Sequence, residues 1–336
     1  MEFTLHHEFP THLKEDWDAL LPDSQLNTPF LRFGYLQHWW QTRGGGEWPR
    51  ESQLAIVSAH EEQNLIGIAP LFVAAQSNKK TIYLMGSKEI CDYLDLIVRP
   101  QDLESFTDGL IDTLISADFI AWDQLIFYNL LETSPTISLL EKASVLHHWQ
   151  FRQECTSQSP YILLPDDWDA YLASIDKKQR HEIRRKMRRS TENTDFNWRF
   201  CTEQETLEED IDSFLYLMAL DAEKKKFLTD SMLQQQRLTL RWAFKENILQ
   251  LSFLEIMGKK AASYFCFDYD SKILVYNSGY DPQFGQYSPG WVLLGNLLQW
   301  AIENKRAEFD FMRGDEEYKY RFGAQDRRVV CAILQR

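Results

Sequence analysis

Residues 273–322 constrain the fold of this chain more than any other stretch. They read ILVYNSGYDPQFGQYSPGWVLLGNLLQWAIENKRAEFDFMRGDEEYKYRF. The run 273–280 is rich in β-branched and aromatic residues and reads as a strand. A turn-rich loop follows. Ser288-Pro289-Gly290 then opens an apolar-periodic segment that reaches about residue 304. Ser288 suits an N-cap, and Pro289 suits the first helical position, where its missing N–H has no partner to lose. Gly290 keeps the helix start bare of side chain. A second short strand, 308–312, ends in Arg313-Gly314-Asp315, with Tyr318-Lys319 just beyond. Strand, bare helix N-terminus and strand together make an anion cradle from free amides and the helix dipole. The polar groups after the second strand fall at the same sheet edge, where open sheets present sites. An ordinary capped helix beside a sheet accounts for the same residues without any ligand.

The bulk numbers bound the alternatives. A length of 336 residues fits two domains of common size, and 44% hydrophobic with 26% charged residues gives each a packed core. No apolar run reaches membrane-span length, so no membrane span is expected. The opening MEFTLHHEFP lacks the basic and apolar regions of a signal peptide. Five scattered cysteines (Cys91, Cys155, Cys201, Cys266, Cys331) with no Cys/His spacing predict reduced thiols, a cytoplasmic location and no metal. A net charge of −14 argues against general nucleic-acid binding, and no DNA partner is expected. The charge is uneven, however. Residues 177–189 (KKQRHEIRRKMRR) hold eight Lys or Arg against one Glu. Such an island on an acidic protein fits a focused anionic ligand, although a solvated charged helix has the same composition.

The element order repeats. Each half runs strand, helix, helix, three antiparallel strands, helix, strand. Residues 13–21 (LKEDWDALL) echo residues 207–215 (LEEDIDSFL). The predicted domains are 1–165 and 166–336, the second carrying a basic helix at 177–190. Strands are expected near 3–7, 54–58, 66–74, 81–85, 124–128, 151–155 and 161–164 in the first half. In the second they fall near 197–201, 249–256, 261–268, 273–280, 308–312 and 328–334. Polar equipment is unequal. The first half has Val98-Arg99-Pro100-Gln101 and Tyr128-Asn129-Leu130-Leu131 where the second has Ser288-Pro289-Gly290 and the 313–319 loop. The second half is the expected catalytic one.

This order resembles that of the GNAT acyltransferase superfamily. The residues that carry the likeness are Lys178-Gln179-Arg180-His181-Glu182-Ile183-Arg184-Arg185, Tyr276-Asn277-Ser278-Gly279-Tyr280-Asp281, Tyr287-Ser288-Pro289-Gly290 and Phe309-Asp310-Phe311-Met312-Arg313-Gly314-Asp315 with Tyr318-Lys319. They are similar to the acetyltransferase-like domains of CelD-type polysaccharide-biosynthesis proteins. The tandem architecture and the Ser174, Lys177, Arg180 pattern also resemble the FemABX aminoacyl transferases. The usual GNAT pyrophosphate signature, Arg/Gln-x-x-Gly-x-Gly/Ala, is altered here to Gln286-Tyr287-Ser288-Pro289-Gly290-Trp291.

The resemblance implies an α/β (α+β) fold of two tandem GNAT-like domains. Each is a mixed, mostly antiparallel sheet with a splay between its fourth and fifth strands and flanking helices. It implies an acyl-CoA donor whose thioester meets the backbone of Val275, Tyr276 and Asn277, with Tyr276 offering a phenol. The phosphates would sit at Ser288, Gly290, Trp291 and Val292. Asp315, Tyr318 and Lys319 are the candidate catalytic residues. Arg180, Arg184, Arg185 and Arg313 are candidates for binding phosphate or substrate, and Arg313 pairing with Asp315 is the structural alternative. Asp310, inside a strand, needs a buried partner. The leading reading is an N-acyltransferase acting on an amine of a sugar, nucleotide sugar or other small metabolite. An aminoacyl transferase using aminoacyl-tRNA and a non-catalytic degenerate GNAT protein are the alternatives. Acceptor, acyl chain and oligomeric state are not legible.

Overall fold

The computed structural model describes residues 1–76, 78–192 and 195–336. The chain divides into two compact units. Unit 1 is Met1–Ser157 with Arg328–Arg336, and unit 2 is Gln158–Arg327.

Unit 1 begins with β1 (Glu2–His6), α1 (Lys14–Leu20) and α2 (Phe33–Gly46). The strands β2 (Gln53–Leu54), β3 (Ile56–Glu61), β4 (Asn64–Ala69), β5 (Leu71–Gln76), β6 (Lys79–Leu84) and β7 (Ile97–Val98) follow. Then come α3 (Leu103–Ile115), β8 (Gln124–Leu131), α4 (Pro135–Leu146) and β9 (Gln150–Leu163), whose last residues belong to unit 2. The single strand expected at 66–74 is two strands. Pro70 has no N–H to give a ladder, so the chain breaks there, and β4 and β5 join different sheets. β4 lies in the order β1-β3-β4-β7, and β5 lies in the run β8-β6-β5-β2. The step β6–β8 is parallel, with Thr81 opposite Gln124.

One buried carboxylate stands out in unit 1. Asp95 is 2% exposed and accepts hydrogen bonds from Ser134 Oγ (2.5 Å), Thr136 Oγ1 (2.6 Å), Gln25 Nε2 (2.8 Å) and Leu96 N (2.8 Å). Burial still outweighs those donors and pushes its pKa up to about 6.

Unit 2 contains α5 (Trp168–Ser174), α6 (Lys177–Thr191), β10 (Phe196–Phe200), α7 (Leu207–Ala219), α8 (Ala222–Phe227) and α9 (Asp230–Lys245). It continues with β11 (Leu249–Ile256), β12 (Lys259–Tyr269), β13 (Lys272–Tyr280), α10 (Pro289–Glu303), β14 (Glu308–Asp310) and α11 (Glu317–Arg321). The final strand, β15 (Gln325–Gln335), passes into unit 1, where it pairs with β8. The sheet order is β10-β11-β12-β13-β14-β9, antiparallel throughout except for β13–β14. The mixed, mostly antiparallel α/β architecture is the one expected from the sequence.

Alternation along β12 assigns the two faces. Cys266, with Ile273 and Val275 of β13, packs with Leu293, Leu294 and Leu297 of α10. Phe265 turns the other way and meets Phe214 of α7, ring centroids 5.9 Å apart. Two helices are absent from the sequence reading, α8 and α11. The strand predicted at 308–312 stops at Asp310, because Asp310 Oδ1 accepts from Met312 N (2.7 Å) and Met312 takes φ of 59°.

Candidate active site in the second unit

The site begins where β13 outruns its parallel neighbour. β14 pairs with only three residues of β13, Lys272, Ile273 and Leu274, while β13 stays paired with β12 to Tyr280. Residues 275–280 therefore form a strand with one edge released. A β-bulge falls in the same place. Phe265 faces Asn277 and Cys266 faces Val275, which leaves Tyr276 as the extra residue. The bulge re-aims the side chains. Val275 points to the α10 core, and the Tyr276 ring goes to the opposite face, 5.0 Å from Phe265 and 5.4 Å from Phe267. The Tyr276 phenol thus lies on the face away from α10, and only its backbone remains at the splay. Ser278 and Tyr280 return to the α10 side, in line with Tyr264 and Ala262. Gly279 is required here. A Cβ would stand 2.5 Å from the backbone of Leu217 and Met218, so α7 lies directly on this strand.

A cleft of about 420 Å³ opens between the splay and the start of α10. Tyr264, Ser278, Tyr280, Trp291, Leu294 and Tyr318 line it, with Gly285, Ser288, Pro289 and Gly290 at the loop side. Ser288 adopts the left-handed region (φ 51°, ψ 55°), and its side chain makes no cap hydrogen bond. The cap expected of it is replaced by a turn, which brings the helix start to the cleft. A Cβ on Gly290 would meet nothing within 4 Å, so this glycine faces open space. The Gly290 and Trp291 amides lie in the first turn, where the helix itself has no carbonyl to take them. The Val292 amide is already used, donating to Ser288 O at 3.1 Å. The Trp291 ring packs on Phe322 (4.5 Å), and its buried Nε1 has no partner among the described residues.

Two phenols face this cleft. Burial pushes the hydroxyls of Tyr264 and Tyr318 above their usual range, and each also feels Glu316. Among the described residues neither hydroxyl has a hydrogen-bond partner. Sequence reasoning reaches Tyr318 and misses Tyr264 and Ser278, because cleft-facing alternation in β12 and β13 depends on the bulge.

The 313–319 segment is a clamp on its own backbone. Lys319 is 2% exposed and donates to Gly314 O (3.0 Å), Arg313 O (3.1 Å) and Met312 O (3.3 Å), while Glu316 Oε2 lies 2.9 Å away. Arg313 is half-buried beside Gly314, and Asp315 is exposed. Burial acts to raise the Glu316 pKa, but Lys319 outweighs it and the net shift is downward. Asp310 is fully buried and meets Arg327 (3.7 Å), which also pairs with Glu308 (2.7 Å). Lys224, on α8, has no signal in the sequence. Its Nζ donates to Asn277 Oδ1 (2.9 Å) and to Ser278 O (2.5 Å), and desolvation lowers its pKa. It holds the released part of β13 where β14 no longer does.

The basic helix α6 starts at Asp176, which accepts from Lys178 N (2.9 Å). Ile183 is fully buried, and Met187 packs over Gly295 of α10. Arg180 donates to Leu172 O (3.4 Å), and Arg184 meets Asp169 (3.3 Å) at the surface. Arg185 is exposed. The contacts toward the cleft come from two other residues. Lys186 Nζ lies 4.3 Å from the Trp291 ring centre, and the Arg189 guanidinium lies 5.3 Å from that of Tyr287. Among the described residues no group of three or more His, Cys, Asp or Glu is placed to hold a metal ion, and no helix is long and apolar enough to cross a membrane.

The family model of the Acetyltransferase (GNAT) domain matches residues 177–320. No curated protein matches the chain by sequence. Among solved structures, FemX is similar over 99% of this chain and 97% of its own, at 11% identity and a TM-score of 0.66. L-PGS from Bacillus licheniformis gives 12% identity and a TM-score of 0.55, covering 95% of this chain and 90% of its own. The C-terminal domain of a putative lysylphosphatidylglycerol synthetase from Agrobacterium fabrum gives 10% and 0.57, covering 96% and 91%. Identities this low speak for the fold alone. The cleft of unit 2, with its splayed parallel strand pair and bare helix start, lies inside the residues that the acetyltransferase (GNAT) domain model matches, and the chain as a whole has the fold of FemX.

Proposed function

We propose that unit 2 transfers an acyl group from acyl-CoA to the amine of a small acceptor such as a sugar or nucleotide sugar. One observation carries the reading. Where β13 leaves β14, an open cleft lies between a helix start left bare at Gly290 and two phenols unbonded within the protein. The first-turn amides of Gly290 and Trp291, with the α10 dipole behind them, suit a phosphate. Lys186 and Arg189 add positive charge beside Trp291 and Tyr287. The buried, unpartnered Nε1 of Trp291 suits a ligand oxygen. The free edge of β13 offers main-chain donors and acceptors to an extended amide-bearing arm.

In the reaction the acceptor nitrogen bonds to the acyl carbon, the carbon–sulfur bond breaks, the amine gives up a proton and the sulfur takes one. The chain has to orient both partners and stabilise the charge on oxygen and sulfur. Tyr264 and Tyr318 stay protonated, so each donates a hydrogen bond to developing negative charge. Asp315 and Glu316 are exposed, and Glu316 acts on both phenols, so its carboxylate suits the departing amine proton. Lys319 keeps the 312–314 backbone in place through its three carbonyl contacts. Unit 1 has a non-catalytic role in this reading. Its α3 starts at Leu103 without a glycine. Five free cysteines, four of them buried, fit a reducing compartment such as the cytoplasm. Titration calorimetry with acetyl-CoA and a longer acyl-CoA tests the proposal, and absence of binding by either at millimolar concentration refutes it.

One observation favours a second donor class, aminoacyl-tRNA. α6 leaves Lys177, Lys178, Arg185, Arg188 and Arg189 exposed on one short helix. That reading requires salt-sensitive tRNA binding that weakens when Arg184 and Arg185 are neutralised.

A further inference from the structure

We propose that unit 1 binds a saccharide in a pocket built on the face of its own sheet, with residues that take no part in the acyl cleft. The pocket holds about 330 Å³, and Glu47, Trp48, Pro49, Gln76, Lys88 and Tyr128 line it. That volume is within the roughly 300–1,000 Å³ of small-ligand clefts.

Its floor is aromatic. Tyr128 of β8 lies beside Tyr83 of β6, ring centres 6.1 Å apart and planes within 9°, and Trp48 packs on Tyr83 at 4.5 Å. The rings are fixed by their polar ends. Trp48 Nε1 donates to Ser87 O (2.6 Å), and the Tyr83 hydroxyl donates to Gln76 Oε1 (2.6 Å). The second bond also fixes the Gln76 amide and leaves its NH2 for a ligand on an exposed side chain. The Tyr128 hydroxyl has no hydrogen-bond partner among the described residues.

The rim is polar and held in place. Glu47 Oε1 and Oε2 both accept from Lys88 N (3.0 and 3.1 Å), and Oε2 also accepts from Glu89 N (3.2 Å). Each oxygen keeps a further lone pair for an incoming hydroxyl. Lys88 Nζ stands 5.7 Å from the Tyr128 ring centre, a cation at the opposite side of the same floor. Burial pushes the Glu47 pKa up to about 7 despite those two amides, so near neutral pH this carboxyl can both accept from and donate to a sugar hydroxyl.

This arrangement matches a pyranose ring. The C–H face of the sugar lies on the rings, and its hydroxyls meet an acceptor (Glu47), donors (Gln76 NH2, Lys88) and a group that is both (Tyr128). A free amino acid would need its carboxylate and ammonium met at once, whereas the Glu47 oxygens are already drawn to two backbone amides.

Saturation-transfer NMR and calorimetry on the full chain, with glucose, glucosamine and N-acetylglucosamine as probes and glycine and tryptophan as zwitterionic comparisons, test the assignment. At least one sugar binds at millimolar strength. Tyr128→Ala weakens it about tenfold or more while the thermal midpoint is retained. Gln76→Ala, a change at an exposed side chain, weakens it in the same direction and serves where Tyr128→Ala folds poorly. No sugar binding at tens of millimolar, equal binding by both variants, or binding of the amino acids in place of the sugars overturns the proposal.

Discussion

Replacing Gly290 by Asp separates ligand binding from folding, because the two effects have opposite signs. A Cβ at this position meets no atom within 4 Å, so the protein itself has room for the side chain. Residue 290 is the second residue of α10 and has no positive φ to defend. A carboxylate in the first turn of a helix gains about 0.3–1 kcal/mol from the dipole. Removing a glycine also lowers the entropy of the unfolded chain. The thermal midpoint is therefore unchanged or slightly raised. Binding of an anion at the same amides moves the other way. Two unit charges 4 Å apart at a protein surface interact by about 4 kcal/mol. The cleft is open and salt screens the pair, so roughly 3 kcal/mol is a fair figure, about a hundredfold in affinity. Titration calorimetry with acetyl-CoA on wild type and Gly290→Asp, alongside thermal unfolding of both, reads the two effects separately. A Gly290→Asp protein that binds acetyl-CoA as tightly as wild type removes the donor phosphate from the start of α10. One that unfolds refutes the claim that Gly290 faces open space.

Three further outcomes follow from the same geometry. Gly279→Ala forces α7 away from β13, because the new Cβ would stand 2.5 Å from backbone, and overpacking of this kind costs about 1–3 kcal/mol in a denaturant titration; an unchanged midpoint would show that α7 yields freely. Lys224→Met removes the donors to Asn277 Oδ1 and Ser278 O, so thiol release slows about tenfold or more and stability falls by about 1–3 kcal/mol in a denaturant titration, and full turnover would take Lys224 out of the site. Asp95 has a pKa of about 6 when folded against an ordinary 3.8, so the folded state holds its proton more tightly than the unfolded chain. Its contribution is complete below about pH 4 and is lost as pH rises through 6, a change of about 3 kcal/mol in all. Subtracting the unfolding free energies of Asp95→Asn from those of wild type between pH 4 and 7.5 isolates that slope, and a flat difference refutes the assignment.

The parts of the fold written in local chemistry are legible in the sequence. Ser288-Pro289-Gly290 marks the start of α10, and the alternating runs give β11, β12 and β13 close to their true ends. The missed elements lack such marks. α8 is six residues long with no buried residue, so it has no apolar stripe to read. α11 is held by Lys319 reaching back to three carbonyls, a contact that forms only once the loop has folded. Pro70 is visible in the sequence, yet the apolar run on both sides of it reads as one strand where the fold has β4 and β5. The candidate site is legible on one side. Gly290, Trp291 and Tyr318 line the cleft, whereas the Tyr276 ring points away. Its destination depends on the register between β12 and β13, which no single strand's pattern contains.

That register also explains why the two units differ. In unit 1, β5 and β6 pair without a shift from Leu71–Leu84 to Gln76–Lys79, and β6 ends at Leu84, one residue past its last pair with β8. In unit 2, β13 runs six residues past Leu274 and carries the bulge. Both units share the parallel step, yet only β13 has a long free edge with its later side chains returned to the helix face. A free edge is a liability unless something covers it. Lys224 takes the Ser278 carbonyl, and Gly279 lets α7 lie against the strand, so the released segment is held without a neighbouring strand. The cleft of unit 2 thus depends less on added polar residues than on one extra residue in a strand and the groups that keep it in place.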